Sequence, residues 1–228
     1  MENAFRTWLE AGDPILADGA MGTMLHSRGE RFDGCFDELN RIDPDLVLDI
    51  HRDYVRAGAQ ILETNTFGAN RFKLTRHGLE EQVAEINATA VALAHRAADE
   101  ADHDILVAGS VGPLGVRLSP FGRVQPDQAR AVFAEQIGAL AEAGADLIIL
   151  ETHSDLYEIT EAVRATRQVC DLPVVAMMTF TRDDRTLLGD TAERVASSLA
   201  EAGADVLGAN CSGGPAQLLR LVEQMRRA

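Results

Sequence analysis

Lysine is almost missing from this 228-residue chain: Lys73 stands alone, and the remaining positive charge is arginine. The formal net charge is -15. That leaves no cationic face for nucleic acid or an anionic membrane, both of which need one. An acidic, lysine-poor surface suits a salt-rich solvent in which self-repulsion is screened. An arginine-favouring base composition gives the same bias. Schiff-base chemistry needs a lysine at a strand end, and Lys73 lies several residues past the nearest strand candidate.

Cysteine is scarce too. Cys35, Cys170 and Cys211 are too few and too scattered for a disulfide framework. No Cys-x-x-Cys or His-x-x-x-His pair offers a self-contained metal site. No apolar run approaches the ~18 residues needed to span a membrane. The segment Met1 to Arg6 lacks the basic stretch and apolar core of a signal peptide. These absences predict a cytoplasmic protein. No Walker-type or dinucleotide glycine motif follows a strand candidate.

What is present is an ordinary globular balance, 46% apolar and 25% charged residues, in a length that suits one large domain. The chain also echoes itself. Segments 54–64, 140–152 and 199–208 each read as a helix end, a glycine (Gly58, Gly144, Gly203) and a short apolar strand. The glycine supplies the left-handed residue that ends a helix. With the candidates at 15–18, 104–110 and 173–180, this predicts six strands, near 15–18, 60–65, 104–110, 146–151, 173–180 and 205–210. Helical patterns cover 45–57, 79–99, 126–143, 156–169, 191–202 and 215–227. Pro44-Asp45 and Pro126-Asp127 look like helix starts.

Apolar strands alternating with helices imply a parallel sheet. Either a (βα)8 barrel or a doubly wound sheet fits. Polar strand ends favour the barrel: Asp18, Glu63 to Thr66, Ser110, Glu151 to His153, Thr179 and Asn210-Cys211. In a closed parallel barrel all of these gather on one face, where catalytic sites are built. A barrel has eight strands, so about six βα units make this an incomplete (βα)8 TIM-type barrel over residues 1–228.

Five strand-end segments carry a resemblance: Asp18-Gly19-Ala20-Met21-Gly22-Thr23, Glu63-Thr64-Asn65-Thr66-Phe67-Gly68-Ala69-Asn70-Arg71, Gly109-Ser110-Val111-Gly112-Pro113, Leu150-Glu151-Thr152-His153-Ser154-Asp155 and Gly208-Ala209-Asn210-Cys211-Ser212. Together, in this order, the chain resembles the homocysteine S-methyltransferase family. The resemblance implies a homocysteine-binding barrel that methylates the homocysteine thiol to methionine, with zinc held by three cysteine thiolates. It implies that Cys211 is the first of these zinc ligands and the catalytic thiolate. The other two form a Gly-Gly-Cys-Cys motif near strand eight, and no residue here matches them. The last two βα units are expected to be lacking. Glu151 matches the glutamate that binds the homocysteine amino group. Asp18, Gly19 and Ala20 match the first-strand loop. Thr64, Asn65 and Thr66 offer groups beside the substrate carboxylate or the zinc surround, and Asn210 shapes the turn that aims Cys211.

The implied methyl donor is a small molecule, or a cobalamin or folate carrier on another domain or protein. Two other readings stay open. The chain is a partial or non-catalytic subunit, completed by a second polypeptide or a homo-oligomer, or it is an unrelated barrel lyase or isomerase. His153 reads as a packing residue, and Arg117 and Arg123 as solvated loop charges.

Overall fold

A computed structural model of the chain describes residues 3–228. Its centre is a five-stranded sheet: β1 (Ile61–Glu63), β2 (Leu106–Val111), β3 (Leu147–His153), β4 (Val174–Met178) and β5 (Val206–Ala209). Every neighbouring pair is parallel, in the order β1-β2-β3-β4-β5. The sixth expected strand, at 15–18, is reduced to one parallel bridge between Ala17 and Ile61. Asp18 N–H still donates to Ile61 O at 2.9 Å. The segment therefore runs beside β1 as the next stave of the same curved sheet. Among the described residues the sheet stays open between β5 and this segment: a TIM-type barrel that does not close.

Ten helices surround it: α1 (Ala4–Ala11), α2 (Met21–Ser27), α3 (Leu39–Ile42), α4 (Pro44–Arg56), α5 (Arg71–Leu74), α6 (Val83–Asp99), α7 (Pro126–Glu142), α8 (Leu156–Val169), α9 (Ala192–Ala202) and α10 (Pro215–Met225). The six long ones, α4 and α6 to α10, lie where the sequence pattern puts them. The expected start at 79 is replaced by a 3-10 turn over Glu80–Gln82, so α6 begins at Val83. Pro44 opens α4 behind Asp43, whose carboxylate accepts from Leu46 N–H at 3.3 Å. Gly58, Gly144 and Gly203 take φ of 95°, 98° and 104°, the left-handed backbone that ends a helix without a Cβ penalty.

Strand alternation sorts the core. Val107, Ile148, Leu150, Val174, Ala176 and Met178 face outward and pack under helices in the largest apolar cluster. Ile61, Leu106, Ala108, Leu147 and Ile149 face inward and form a separate cluster. These inner residues follow the period of two that a strand imposes.

Helix α1 was not expected from the sequence. Asn3 caps it, accepting from Phe5 N–H at 3.0 Å, and its amide donates to Asp146 O at 3.1 Å. Phe5 is buried among Ile61, Leu106 and Leu147, and Trp8 packs beside it. The helix thus fills the N-terminal end of the barrel interior and leaves the opposite end for chemistry.

Candidate functional site

The inner-face rule places the polar strand ends. On β1 it continues from Ile61 to Glu63, on β2 from Ala108 to Ser110, on β3 from Ile149 to Glu151, and on β5 from Val206 through Gly208 to Asn210. These side chains form the top inner layer of the sheet, at its C-terminal end.

Glu151 is the hub. Ser110 Oγ donates to its Oε1 at 2.6 Å, and the Asn210 amide approaches its Oε2 at 3.4 Å. The Thr152 hydroxyl lies 3.3 Å from Glu151 Oε2 and 3.3 Å from Cys211 Sγ. It carries one proton and so serves one of them at a time. Asn210 also accepts from Thr152 N–H at 3.0 Å and donates to the Thr152 hydroxyl at 3.1 Å. A single network joins Ser110, Glu151, Thr152, Asn210 and Cys211.

By strand parity Thr152 and Cys211 belong on the outer face. Two backbone departures redirect them. Thr152 has φ 58° and Cys211 φ 47°, a region that a β-branched or bulky residue rarely occupies. The pairing of β3 with β4 also shifts register between Leu150 and His153, a bulge of the kind that re-aims side chains beside active sites. Strain of this sort persists only where surrounding contacts impose it. Here the Asn210 side chain holds Thr152, and Thr179 Oγ1 donates to Asn210 O at 3.2 Å. Cys211 itself is exposed at the rim.

Asp18 enters from the open side of the layer. Its Oδ2 accepts from Glu63 N–H at 2.9 Å, while its buried Oδ1 has no hydrogen-bond partner. Burial pushes its carboxyl up to about 7, and the charge of Glu151 pushes the same way; the Glu63 N–H partly offsets both. Glu63 shares the inner face with Glu151 by strand parity. Burial, then the charges of Glu151 and Asp18, hold its own carboxyl well above the usual range. None of these three carboxylates joins the ion pairs formed among the described residues. Lys73 feels the charge of Glu151 from a distance; its Nζ sits 4.3 Å from the centre of the Phe67 ring.

The other expected site residues divide. Gly19 and Ala20 are exposed in the turn into α2, against Tyr54, whose hydroxyl donates to Ala20 O at 3.3 Å. A Cβ on Gly19 would come within 3.0 Å of that hydroxyl. Thr64, Asn65 and Thr66 are buried and hydrogen-bonded within the protein. The two threonine hydroxyls meet at 2.6 Å, and Thr66 Oγ1 donates to Ser110 O at 2.7 Å. The Asn65 amide donates to Phe36 O at 2.7 Å and to Asn40 Oδ1 at 3.1 Å, away from Glu151. His153 is buried against Phe133, its ring nitrogen 3.4 Å from Val111 O, and burial pushes its pKa down to about 3. It is a neutral packing residue.

The sequence reading did not single out Glu63, Ser110 or Thr152 as site residues. Parity along β1 and β2 pointed to the first two. Nothing short of the backbone pointed to Thr152. It also missed three amides that hold the loop after β1. Asn40 donates to Asn65 O at 2.8 Å, Asn87 to Ala69 O at 2.9 Å and Gln136 to Thr66 O at 2.8 Å. On the same rim, a cavity of about 310 Å³ is lined by Val116, Arg117, Phe121, Asp155, Glu158 and Leu187, among others.

Zinc needs about four ligands, three of them from the protein in an open catalytic site. Cys211 supplies one thiol. Cys35 packs with Ala69 and Leu74, and Cys170 ends α8 beside the N-terminal end of β4. Among the described residues no group of three or more His, Cys, Asp or Glu side chains has the geometry to hold a metal ion. These residues alone do not fit zinc. No helix among them is long and apolar enough to cross a membrane.

Comparison with known proteins gives one consistent result. Residues 15–228 match the homocysteine S-methyltransferase family. Methionine synthase of Mycobacterium tuberculosis is 32% identical over 227 residues, covering 93% of this chain and 19% of that protein. Methionine synthase of Mycobacterium leprae is 32% identical, covering 90% of this chain and 18% of that protein. The chain thus spans less than a fifth of the length of the curated relatives it matches. The metallated form of the homocysteine methyltransferase MmuM from Escherichia coli superposes with a TM-score of 0.79 at 30% identity, covering 92% of this chain and 78% of that one.

The carboxylates set a pH dependence. The folded pKa of Asp18, about 7, lies above the ~3.9 of an unfolded chain. The folded state therefore keeps a proton that the unfolded state releases. The contribution of this group to stability is full below about pH 4, falls through pH 4–7 and levels off above. Asp18→Asn, which keeps the acceptor for Glu63 N–H, is expected to melt above wild type at pH 8, the gap exceeding that at pH 4.5 by a few degrees. A gap independent of pH in thermal melts would show that Asp18 titrates normally.

Proposed function

Because this chain belongs to the homocysteine S-methyltransferase family, we propose that its barrel rim binds homocysteine and serves methyl transfer to the homocysteine thiol, giving methionine. One observation carries the reading. An inward carboxylate without a protein cation, Glu151, is wired through Thr152 to an exposed thiol, Cys211. A ligand with an ammonium at one end and a sulfur at the other matches that pair.

The chemistry asks for few groups. Sulfur loses its proton, the bond from the donor to the methyl carbon breaks, and a carbon–sulfur bond forms. The thiolate is the nucleophile. The residues described here hold the amino acid. Glu151 pairs with the ammonium in a charge-assisted contact, with its orientation fixed by Ser110 and Asn210. The turn at Asp18, Gly19 and Ala20 lies alongside. Thr64, Asn65 and Thr66 support this site as a rigid buried loop. Zinc, when bound, supplies the sulfur with a Lewis acid that favours the thiolate. Cys211 is the residue that would supply a ligand to it. The methyl donor is proposed to be a small molecule or a carrier module on another domain or protein. An unrelated barrel lyase or isomerase is set aside by family membership, and Lys73 sits in α5 rather than at a strand end.

Binding tests the reading directly. Homocysteine is expected to bind the protein in calorimetry, and Glu151→Ala to weaken it at least tenfold, in keeping with the ~1.5–3 kcal/mol of a hydrogen bond to a charged group. Undiminished binding by Glu151→Ala, or no binding by wild type, contradicts it.

A specific observation favours a second reading, a partial subunit. The site holds a single thiol, and β5 and the 15–18 segment leave unpaired edges flanked by exposed Leu16, Leu219 and Val222. Edges of this kind are templates for pairing with another polypeptide or another copy. Zinc content separates the readings. Substoichiometric zinc after dialysis of the isolated chain is expected of a partial subunit. About one tightly held zinc per chain contradicts it.

A further inference from the structure

We propose that Glu63 is a further anchor for the substrate ammonium beside Glu151, with Asp18 next to it, making this rim selective for thiols that carry a free amine. The inference rests on the homocysteine reading above and extends it to a residue that reading does not use.

Three carboxylates, Asp18, Glu63 and Glu151, stand at the C-terminal end of the inner face: the Glu63 N–H binds Asp18, and Glu63 and Glu151 continue the inward parity of Ile61 and Ile149. The protein donors that meet Glu151 and Asp18 are all neutral. Glu151 takes the Ser110 and Thr152 hydroxyls and the Asn210 amide. Asp18 takes the Glu63 N–H on one oxygen, and its other oxygen is buried with no donor at all. The Glu63 carboxyl takes no hydrogen bond from a protein donor among the described residues, and the charges of Glu151 and Asp18 act on it. A carboxylate drawn out of water without a cation or a full set of donors is costly, and here three half-buried ones stand on one face. The arrangement therefore lacks one positive group that brings several N–H donors. A primary ammonium supplies three donors and one charge.

The geometry fixes Glu63 in this role. It belongs to the inner face of β1, paired in register with Ala108 of β2. Its backbone N–H holds the Asp18 carboxylate beside it. The surrounding layer of Ile61, Leu106, Ala108, Leu147 and Ile149 is apolar and offers the carboxylates no alternative partner below.

Two ligands separate this role from a merely structural one. Homocysteine and 4-mercaptobutanoate share thiol, chain and carboxylate, and only the first carries an amine. Dissociation constants are measured by calorimetry on wild type, Glu63→Gln and Glu63→Ala of the full chain, with circular dichroism confirming the fold of each. Glu63→Gln is expected to weaken homocysteine at least tenfold and to leave 4-mercaptobutanoate unchanged or improved, since that ligand brings no ammonium to pair with a carboxylate at this position. Glu63→Ala is expected to show the same pattern more strongly. An equal loss for both ligands, or no loss for homocysteine, overturns the assignment of Glu63 and leaves the homocysteine reading intact. Failure of wild type to bind homocysteine overturns that reading and this inference together.

Discussion

Parallel pairing of neighbouring strands in chain order decides which side chains look inward, and the rest of the molecule follows from that. On β1, β2 and β3, which pair in parallel, the period of two puts Glu63, Ser110 and Glu151 on the inner face, beyond the apolar residues Ile61, Ala108 and Ile149. The protein sets neutral donors around the layer and forms its ion pairs elsewhere. The result is a set of carboxyls whose ionised forms a cationic group would stabilise.

Other features keep that layer still. Helix α1 seals the N-terminal end through Phe5. The loop after β1 is buried, which is uncommon for a loop because its backbone groups need partners. Side-chain amides from three helices, Asn40 of α3, Asn87 of α6 and Gln136 of α7, provide them. The turn at Cys211 is tied to the loop after β4 by Thr179 and by Ser212, whose Oγ accepts from Phe180 N–H at 2.8 Å. The single thiol is thus held on a braced turn in a strained conformation. The same turn leaves it exposed, where a ligand or a further chain can reach it.

Much of this was legible in the residues. Gly58, Gly144 and Gly203 marked the helix-to-strand joints because only glycine takes their left-handed backbone at little cost. The long helices showed themselves by helical spacing and proline starts. Asp18, Glu151 and Asn210 were visible as polar ends of apolar runs, and they converge with Cys211 on one rim. What stayed hidden has physical reasons. The 15–18 segment has the composition of a strand, yet its pairing reduces to one bridge at Ala17. Helix α1 is too short to declare itself and owes its place to the burial of Phe5, a tertiary contact. Thr152 reaches Cys211 only because a bulge and a positive φ break the alternation, and no sequence period records that. Thr64, Asn65 and Thr66 look like ligand-facing groups in a sequence, whereas their polar atoms are engaged inside the protein.

The central claim is that the three-carboxylate layer awaits an ammonium while the sulfur of the same molecule meets Cys211. A crystal structure of the protein with homocysteine tests it most directly. The account predicts the ligand nitrogen within ~3.2 Å of carboxyl oxygens of Asp18, Glu63 and Glu151, with its sulfur on the Cys211 side of the rim. A ligand bound away from this layer, or one that turns its amine to solvent, would contradict it.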